Sequence, residues 1–508
     1  MAIGYLIGID IGTQGTKTSL ISVDGTVISE SFEQSRLIYP EKGAVEQEPD
    51  EIYLSCLRTI KEAVIKADID PKDILALGID GQMAGILGID KDWNAVTPYD
   101  SWLDNRCSEY KDLIKEWDAE KVVSISGCPA MIHHAPKIMW WKNKRPESYA
   151  RINKFIMPGA YVAGRMCGLK SDKAYIDYTY LHFTGLSDLK NLKWSDELLN
   201  AFGIEKSKMP EIVEPWKIIG TINSEAAAQC GLKQGTPVIA GCGDTSATAY
   251  GAGIVEKGIA FDVAGTASVF SCCVDEYSPD INNKTLIFAK SVIPGLWNPM
   301  AYISGGGLCL KWLRDELNAK EYSYSYKELD VMAAGIPAGS EELIFIPHFN
   351  GRLLPDVPNI RGSWMGLSWV HTKAHLYRSI MEGIAYEYKY YLSILKSLVG
   401  NIELSHVLAI GGGAKSRLFN SIKADVLGVP YSTQDRSDTA TLGVAILAGY
   451  GAGIYNDLVT AIKGIVKHEG LVQPETKNAD VYNRLSKVYE DSFEMFDKFY
   501  RGLLGSNI

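Results

Sequence analysis

Two widely separated stretches of this chain follow one pattern. Ile7-Gly-Ile-Asp-Ile-Gly-Thr-Gln-Gly-Thr-Lys-Thr-Ser-Leu-Ile21 reads as a strand, a Gly-Thr turn and a returning strand, and Ile259-Ala-Phe-Asp-Val-Ala-Gly-Thr-Ala-Ser-Val-Phe-Ser271 repeats it, with Gly265-Thr266 in the place of Gly12-Thr13. One repeat at this separation implies two related α/β domains rather than a solenoid. The 508 residues, 46% of them hydrophobic, are enough for two to four domains with sizeable cores. The division is expected after residue 247, giving domains 1–247 and 248–508.

The first turn lacks both the P-loop spacing and the dinucleotide fingerprint, since neither pattern leads into a helix here. Gly12, Thr13 and Gly15 instead suit convergence of backbone N–H groups on phosphate oxygens. Lys17 then supplies a point charge, and Asp10 is placed to hold a magnesium ion through water. An ordinary Gly-Thr hairpin accounts for the same residues.

Near the midpoint, Val238 to Ala240 ends a short buried strand, Gly241-Cys-Gly243 turns, and Asp244 emerges before a helix over Thr245 to Tyr250 closed by Gly251 and Gly253. A carboxylate at a strand's carboxyl end is where open α/β sheets place their chemistry, although Asp also serves widely as a helix cap. Pro49 to Ala67 has helical apolar spacing, and Ile74 to Ile79 is a strand that delivers Asp80-Gly-Gln-Met83 to its end. In Ser101-Trp-Leu-Asp-Asn-Arg106, Trp102, Asp104 and Arg106 alternate and share one face in extended backbone. A ring flanked by charged groups suits a polyhydroxylated ligand; a core Trp beside a surface ion pair is the plainer reading. Residues 125–200 are aromatic-rich and irregular, in the manner of an inserted substrate lobe. Further on, Ile303 to Asp315 is a glycine loop, including Gly307, that leads into an amphipathic helix bearing Lys311. Gly411-Gly-Gly-Ala414 joins strand His406–Ile410 to a helix over Lys415 to Leu427, whose positive end faces the loop.

A net charge of −10 argues against non-specific binding to nucleic acid or anionic membranes. Nine cysteines without a C-x-x-C, no basic leader and no apolar run near membrane length make a cytoplasmic location the expectation. The adjacent His133-His134 reads as loop or surface rather than metal-ligating.

With Asp10-x-Gly-Thr, Asp244 after a glycine turn, Gly265-Thr266, Trp-Leu-Arg-Asp315 and Gly411-Gly-Gly-Ala414 in this order, the chain resembles the FGGY family of carbohydrate kinases from residue 4 to about 450. Gly78-Ile-Asp-Gly-Gln-Met83 and Trp102-x-Asp104-x-Arg106 are similar to its pentulose-kinase patterns. The resemblance implies a duplicated actin-like ATPase (ribonuclease H-like) fold, two domains around a central cleft, with sugar in the N-terminal domain and ATP held mainly by the C-terminal one. It implies Asp244 as catalytic base, with Gln82, Met83, Trp102, Asp104 and Thr245 around the sugar. Asp10, Gly12, Thr13, Lys17, Gly265, Thr266, Gly307, Lys311, Gly412, Gly413 and Ala414 would serve ATP and Mg2+, the metal through Asp10. The reaction implied is transfer of the γ-phosphate to a small open-chain sugar such as D-xylulose. Ribulose, gluconate and erythritol are alternative acceptors, and a non-catalytic actin-like sensor is the rival class. Partners are then the sugar and ATP alone, with a homodimer the one oligomeric expectation. Two departures bear on the sugar: Ala84 stands where xylulokinases typically have histidine, and Asn350-Gly-Arg-Leu-Leu-Pro355 replaces Ser-Gly-Glu-Arg-Thr-Pro.

Overall fold

The structure, a computed structural model, describes residues 4–265, 267–318, 322–400, 402–434, 436 and 439–504. It divides into two units, Met1–Val255 with Phe288–Trp297 and Asp438–Val466, and Glu256–Ile287 with Asn298–Ser437 and Lys467–Ile508. The expected division after 247 thus falls inside a helix, and two later segments belong with the first unit.

In the first unit, β1 (Tyr5–Ile11), β2 (Gly15–Ser22) and β3 (Val27–Gln34) form an antiparallel meander, and β4 (Ile74–Gly81) adds parallel to β1. β5 (Ile218–Thr221) pairs antiparallel with β6 (Pro237–Ile239), and both β6 and the two-residue β7 (Cys242–Gly243) run parallel to β4. Helix α1 (Pro49–Ala67) buries its Ile52, Leu57, Ile60, Ala63 and Val64 stripe, as its spacing predicts, and α2 (Pro158–Cys167) packs beside it.

The helix Thr439–Gly451 is apolar almost all round and buried on nearly every face, which explains its place in the first unit. Glycines let it approach. A Cβ on Gly8 of β1 would lie 1.9 Å from the Thr441 carbonyl oxygen, and one on Gly443 would lie 2.2 Å from that of Ala247. Ala247 belongs to α3 (Asp244–Gly251), so this helix backs the element that begins with Asp244.

The second unit repeats the arrangement. β8 (Ile259–Ala264), β9 (Ser268–Cys272) and β10 (Trp297–Ile303) form the meander, β11 (His406–Ile410) runs parallel to β8, β12 (Tyr431–Thr433) parallel to β11, and β13 (Glu469–Val472) antiparallel to β12. Strand for strand, this is the order and direction of β5-β6-β4-β1-β2-β3. The sequence repeat is therefore a duplicated sheet topology. Around the second sheet lie α4 (Gly306–Leu317), α5 (Tyr326–Ala334), α6 (Lys373–Val399) and α7 (Arg417–Leu427).

Candidate active site

Strand register assembles three carboxyl groups in the first unit. Asp10 on β1 pairs in register with Asp80 on β4, and Cys242 on β7 pairs with Asp80 from the other side, so that Asp244 follows two residues beyond. Gly241 makes the turn with φ +78°, and a Cβ there would lie 1.8 Å from the Ile79 carbonyl oxygen.

Asp80 is wholly buried, and neither carboxyl oxygen has a hydrogen-bond donor other than the neighbouring Asp10 carboxyl. Burial pushes it well above the usual carboxylate range, and the charges of Asp10 and Asp244 push it further. Asp10 is raised by burial too, against the lowering effects of a hydrogen bond with Asp80 and of the Lys17 charge. That hydrogen bond exists only when one of the pair holds a proton. Asp244 presents part of its surface, yet the atoms around its carboxyl push it up to about 7, with the Asp10 charge adding to burial. Thr245 opposes the rise through its backbone N–H, 2.6 Å from Asp244 Oδ1, and its hydroxyl at 3.2 Å.

Asp80 costs stability wherever the unfolded chain would ionise it. Its folded-state pKa is raised, so the penalty grows as pH climbs above the unfolded value of about 4 and is absent below it. Asp80→Asn should raise Tm at pH 8, by about 1–2 °C or more for each kcal/mol relieved in a chain of this size, with the gain gone near pH 4. Thermal melts across that range check this.

Beside the carboxyl groups runs a chain of hydrogen bonds. Trp102 Nε1 donates to Thr13 Oγ1 at 2.8 Å, Thr13 Oγ1 donates to Gln82 Oε1 at 3.2 Å, and Gln82 Nε2 donates to Gln47 Oε1 at 2.6 Å. Gln82 and Gln47 are buried while the Trp102 side chain is 47% exposed, which leaves an open ring beside fixed amides. Met83 packs under Gly243, where a Cβ would meet its Sδ at 2.5 Å.

Several expected ligand residues are committed elsewhere. The buried Asp104 carboxylate accepts from the Val45 N–H at 2.9 Å and pairs with Arg106 Nε at 2.9 Å, so it builds the loop rather than facing a ligand. Arg106 also pairs with Asp100 and Glu46, each at 2.6 Å, and stacks on Trp140; Lys137 Nζ holds the Ser101 and Asp104 carbonyls. Together they pin the loop bearing Trp102. Lys17 lies on β2, not in the turn, and pairs with Glu30 at 2.6 Å. The Gly12 N–H closes the turn on the Gly15 carbonyl, and the Thr13 hydroxyl belongs to the Trp102–Gln82 chain rather than being free for phosphate. His133 and His134 are buried, not on the surface. Desolvation lowers both, His133 to about 3, and the His134 ring meets the backbone of Gly85. Ala84, beside it, is buried with φ +59°.

The second unit holds a cavity of about 920 Å³ lined by Gly265, Gly307, Lys311, Asp330, Tyr377, Gly412 and Gly413, among others. Gly307 sits so close to the β8–β9 turn that a Cβ would lie 1.7 Å from the Gly265 carbonyl oxygen. Gly411 turns at φ +80°, and Ser416 caps α7 by accepting from the Phe419 N–H at 3.1 Å. Lys311 lines the wall but pairs with Asp315 at 2.5 Å. Ala414 is not part of the lining; its N–H and carbonyl are taken by Gly411 and Asn420. Thr266 lies outside the described residues. Asp330 is the single anion among the described lining residues, and its carboxylate accepts from the Tyr377 hydroxyl at 3.2 Å. In the altered segment Asn350–Pro355, Arg352 is buried against Glu387 of α6 at 2.7 Å. Asp80, Gln47 and Asp330 were not singled out as site residues by sequence reasoning. For Asp80 the signal was present, in its place one residue before the end of a strand; Gln47 and Asp330 sit in no pattern that marks them.

A duplicated sheet with a carboxyl cluster in one unit and a glycine-walled cavity in the other defines a phosphotransferase of the actin-like ATPase fold. Residues 5–251 match the N-terminal domain of the FGGY family of carbohydrate kinases, and residues 262–452 match its C-terminal domain. The chain belongs to that family: it is a carbohydrate kinase, and ATP is its phosphate donor. It is 26% identical to a xylulose kinase of Bacillus subtilis, covering 96% of each chain, and 28% identical to a gluconokinase of the same organism, covering 98% and 99%. Among solved structures it resembles a gluconate kinase of Lactobacillus acidophilus (TM-score 0.90, 26% identity, 99% and 100% covered). A ligand-bound xylulose kinase of that species matches nearly as well (TM-score 0.89, 26% identity, 98% and 100% covered).

Proposed function

We propose that the first unit binds a small open-chain sugar between Trp102, Gln82 and Asp244, and that Asp244 accepts the proton of the hydroxyl that attacks the γ-phosphate of ATP. The observation carrying this reading is the Asp244 carboxyl, held at a strand end and raised to about 7, beside a fixed row of hydroxyl-reading groups. The half-exposed indole packs against sugar C–H groups, while the amide chain holds hydroxyls. On the ATP side, Gly265, Gly307 and Lys311 would take the phosphates, and Gly412, Gly413 and Asp330 the nucleoside.

Magnesium fits the first unit: Asp10 Oδ1 and both Asp80 oxygens are buried with no donor apart from the other carboxyl of the pair. Among the described residues no three side chains are arranged to chelate a bare ion, so Asp10 would hold it through water. Bound there, the ion would supply charge neutralisation at the phosphates. None of the cysteines is in a disulfide, which suits a reducing compartment such as the cytoplasm.

D-xylulose is the first acceptor proposed, following the xylulose kinases among the relatives. Ala84 favours a second, gluconate: a methyl in place of an imidazole leaves room and removes a hydroxyl partner, unless the nearby His134 restores it. An ADP-release panel of D-xylulose, D-ribulose, D-gluconate and erythritol tests both, with ATP turnover expected to rise strongly with one of them. ATP turnover indifferent to every sugar would contradict the kinase reading of this site.

A further inference from the structure

The 3-10 segment Tyr178–Phe183 lies against the strand ends that carry the site. Tyr180 Oη donates to the Gly81 carbonyl at 2.9 Å and reaches the Cys242 carbonyl at 3.3 Å. Gly81 immediately precedes Gln82, and Cys242 stands two residues before Asp244. Thr179 Oγ1 accepts from the Gly243 N–H at 2.9 Å and donates to Asp177 Oδ1, which also takes the Thr179 N–H at 2.9 Å. Asp177, Thr179 and Tyr180 are all buried.

This arrangement answers a mechanical need. β7 is two residues long, and its two register pairs with β4 are too few to fix a strand end. Side-chain hydroxyls supply the missing lateral anchors. Thr179 fixes the Cys242–Gly243 peptide, one link before Asp244, and Tyr180 ties the Gln82 strand to the Asp244 strand. We infer that Thr179 and Tyr180 are positioning residues for phosphoryl transfer, which set the spacing between the sugar-binding amide and the base. The inference rests on the reading of Asp244 as that base. Displacement of a reacting group by about 1 Å can cost a hundredfold in rate, so small losses of anchoring show in turnover.

Thr179→Val keeps shape and removes the hydroxyl; Thr179→Ser keeps the hydroxyl. With the best sugar of the panel, Thr179→Val should lower kcat roughly 10–100-fold with KM for ATP within about twofold of wild type, and Thr179→Ser should recover most of the loss. Tyr180→Phe should lower kcat about tenfold and raise KM for sugar, because it frees Gln82 as well. If Thr179→Val does not fold, as judged by its melting transition, Tyr180→Phe decides by the same split. Wild-type kcat in the folded Val variant, or a loss carried equally by KM for ATP, would overturn the inference. Asp244→Asn measured alongside separates the two readings. An inactive Asp244→Asn beside a fully active Thr179→Val removes only the positioning role, whereas an active Asp244→Asn removes the base itself.

Discussion

Asp244→Asn is expected to lower sugar phosphorylation by roughly 10²–10⁴-fold or more while ATP binding survives. The amide matches the carboxylate in size and can keep its contacts with Thr245, but it cannot take a proton from an attacking hydroxyl. ATP is unaffected because the cavity proposed for it is lined wholly by residues of the other unit. The same reasoning fixes a pH dependence. The base must be ionised to act and its pKa is raised to about 7, so kcat should climb about tenfold per unit through acidic pH and level off above 7. A carboxylate at its ordinary value would give a profile already flat at pH 6. Steady-state rates from pH 5.5 to 9 distinguish the two.

The second large effect is expected at Gly307→Ala. The added methyl would meet the Gly265 carbonyl oxygen at 1.7 Å, and neither can rotate away, because the backbone fixes the Cβ as it fixes the oxygen. Either the β8–β9 turn or the start of α4 must move, and the two together form one wall of the cavity. KM for ATP should rise at least tenfold, roughly 1.4 kcal/mol, with KM for sugar little changed. Unaltered use of ATP would show that this close approach is structural only. Gly231 makes a suitable control, since a Cβ there meets nothing within 4 Å. Its own φ of +79° means that any loss in Gly231→Ala reflects backbone strain alone.

What the sequence made legible was local. Both strand pairs β1–β2 and β8–β9, α1 and the strand before Asp80 follow from apolar spacing, and the turn before Asp244 from backbone only glycine adopts readily. Misreadings came where distant segments meet. Alternation put Asp104 beside Trp102 on one face, but nothing nearby in sequence announces that the Val45 N–H and Arg106 consume its carboxylate. His133 and His134 look like loop residues because the aromatic lobe that buries them has no regular period. The helix Thr439–Gly451 joins the first unit through glycines at 8, 251 and 443, a fit visible only when all three are brought together. The pairing of Asp10 with Asp80 is a matter of parallel register, which no single stretch encodes.

The most direct measurement is 31P NMR of wild type and Asp244→Asn, each incubated with ATP, magnesium and the preferred sugar. Wild type should convert the γ-phosphate into a new phosphomonoester signal, and Asp244→Asn should leave ATP intact. Inorganic phosphate as the only product of wild type, or an equal ester signal from both proteins, would contradict a sugar kinase that works through Asp244.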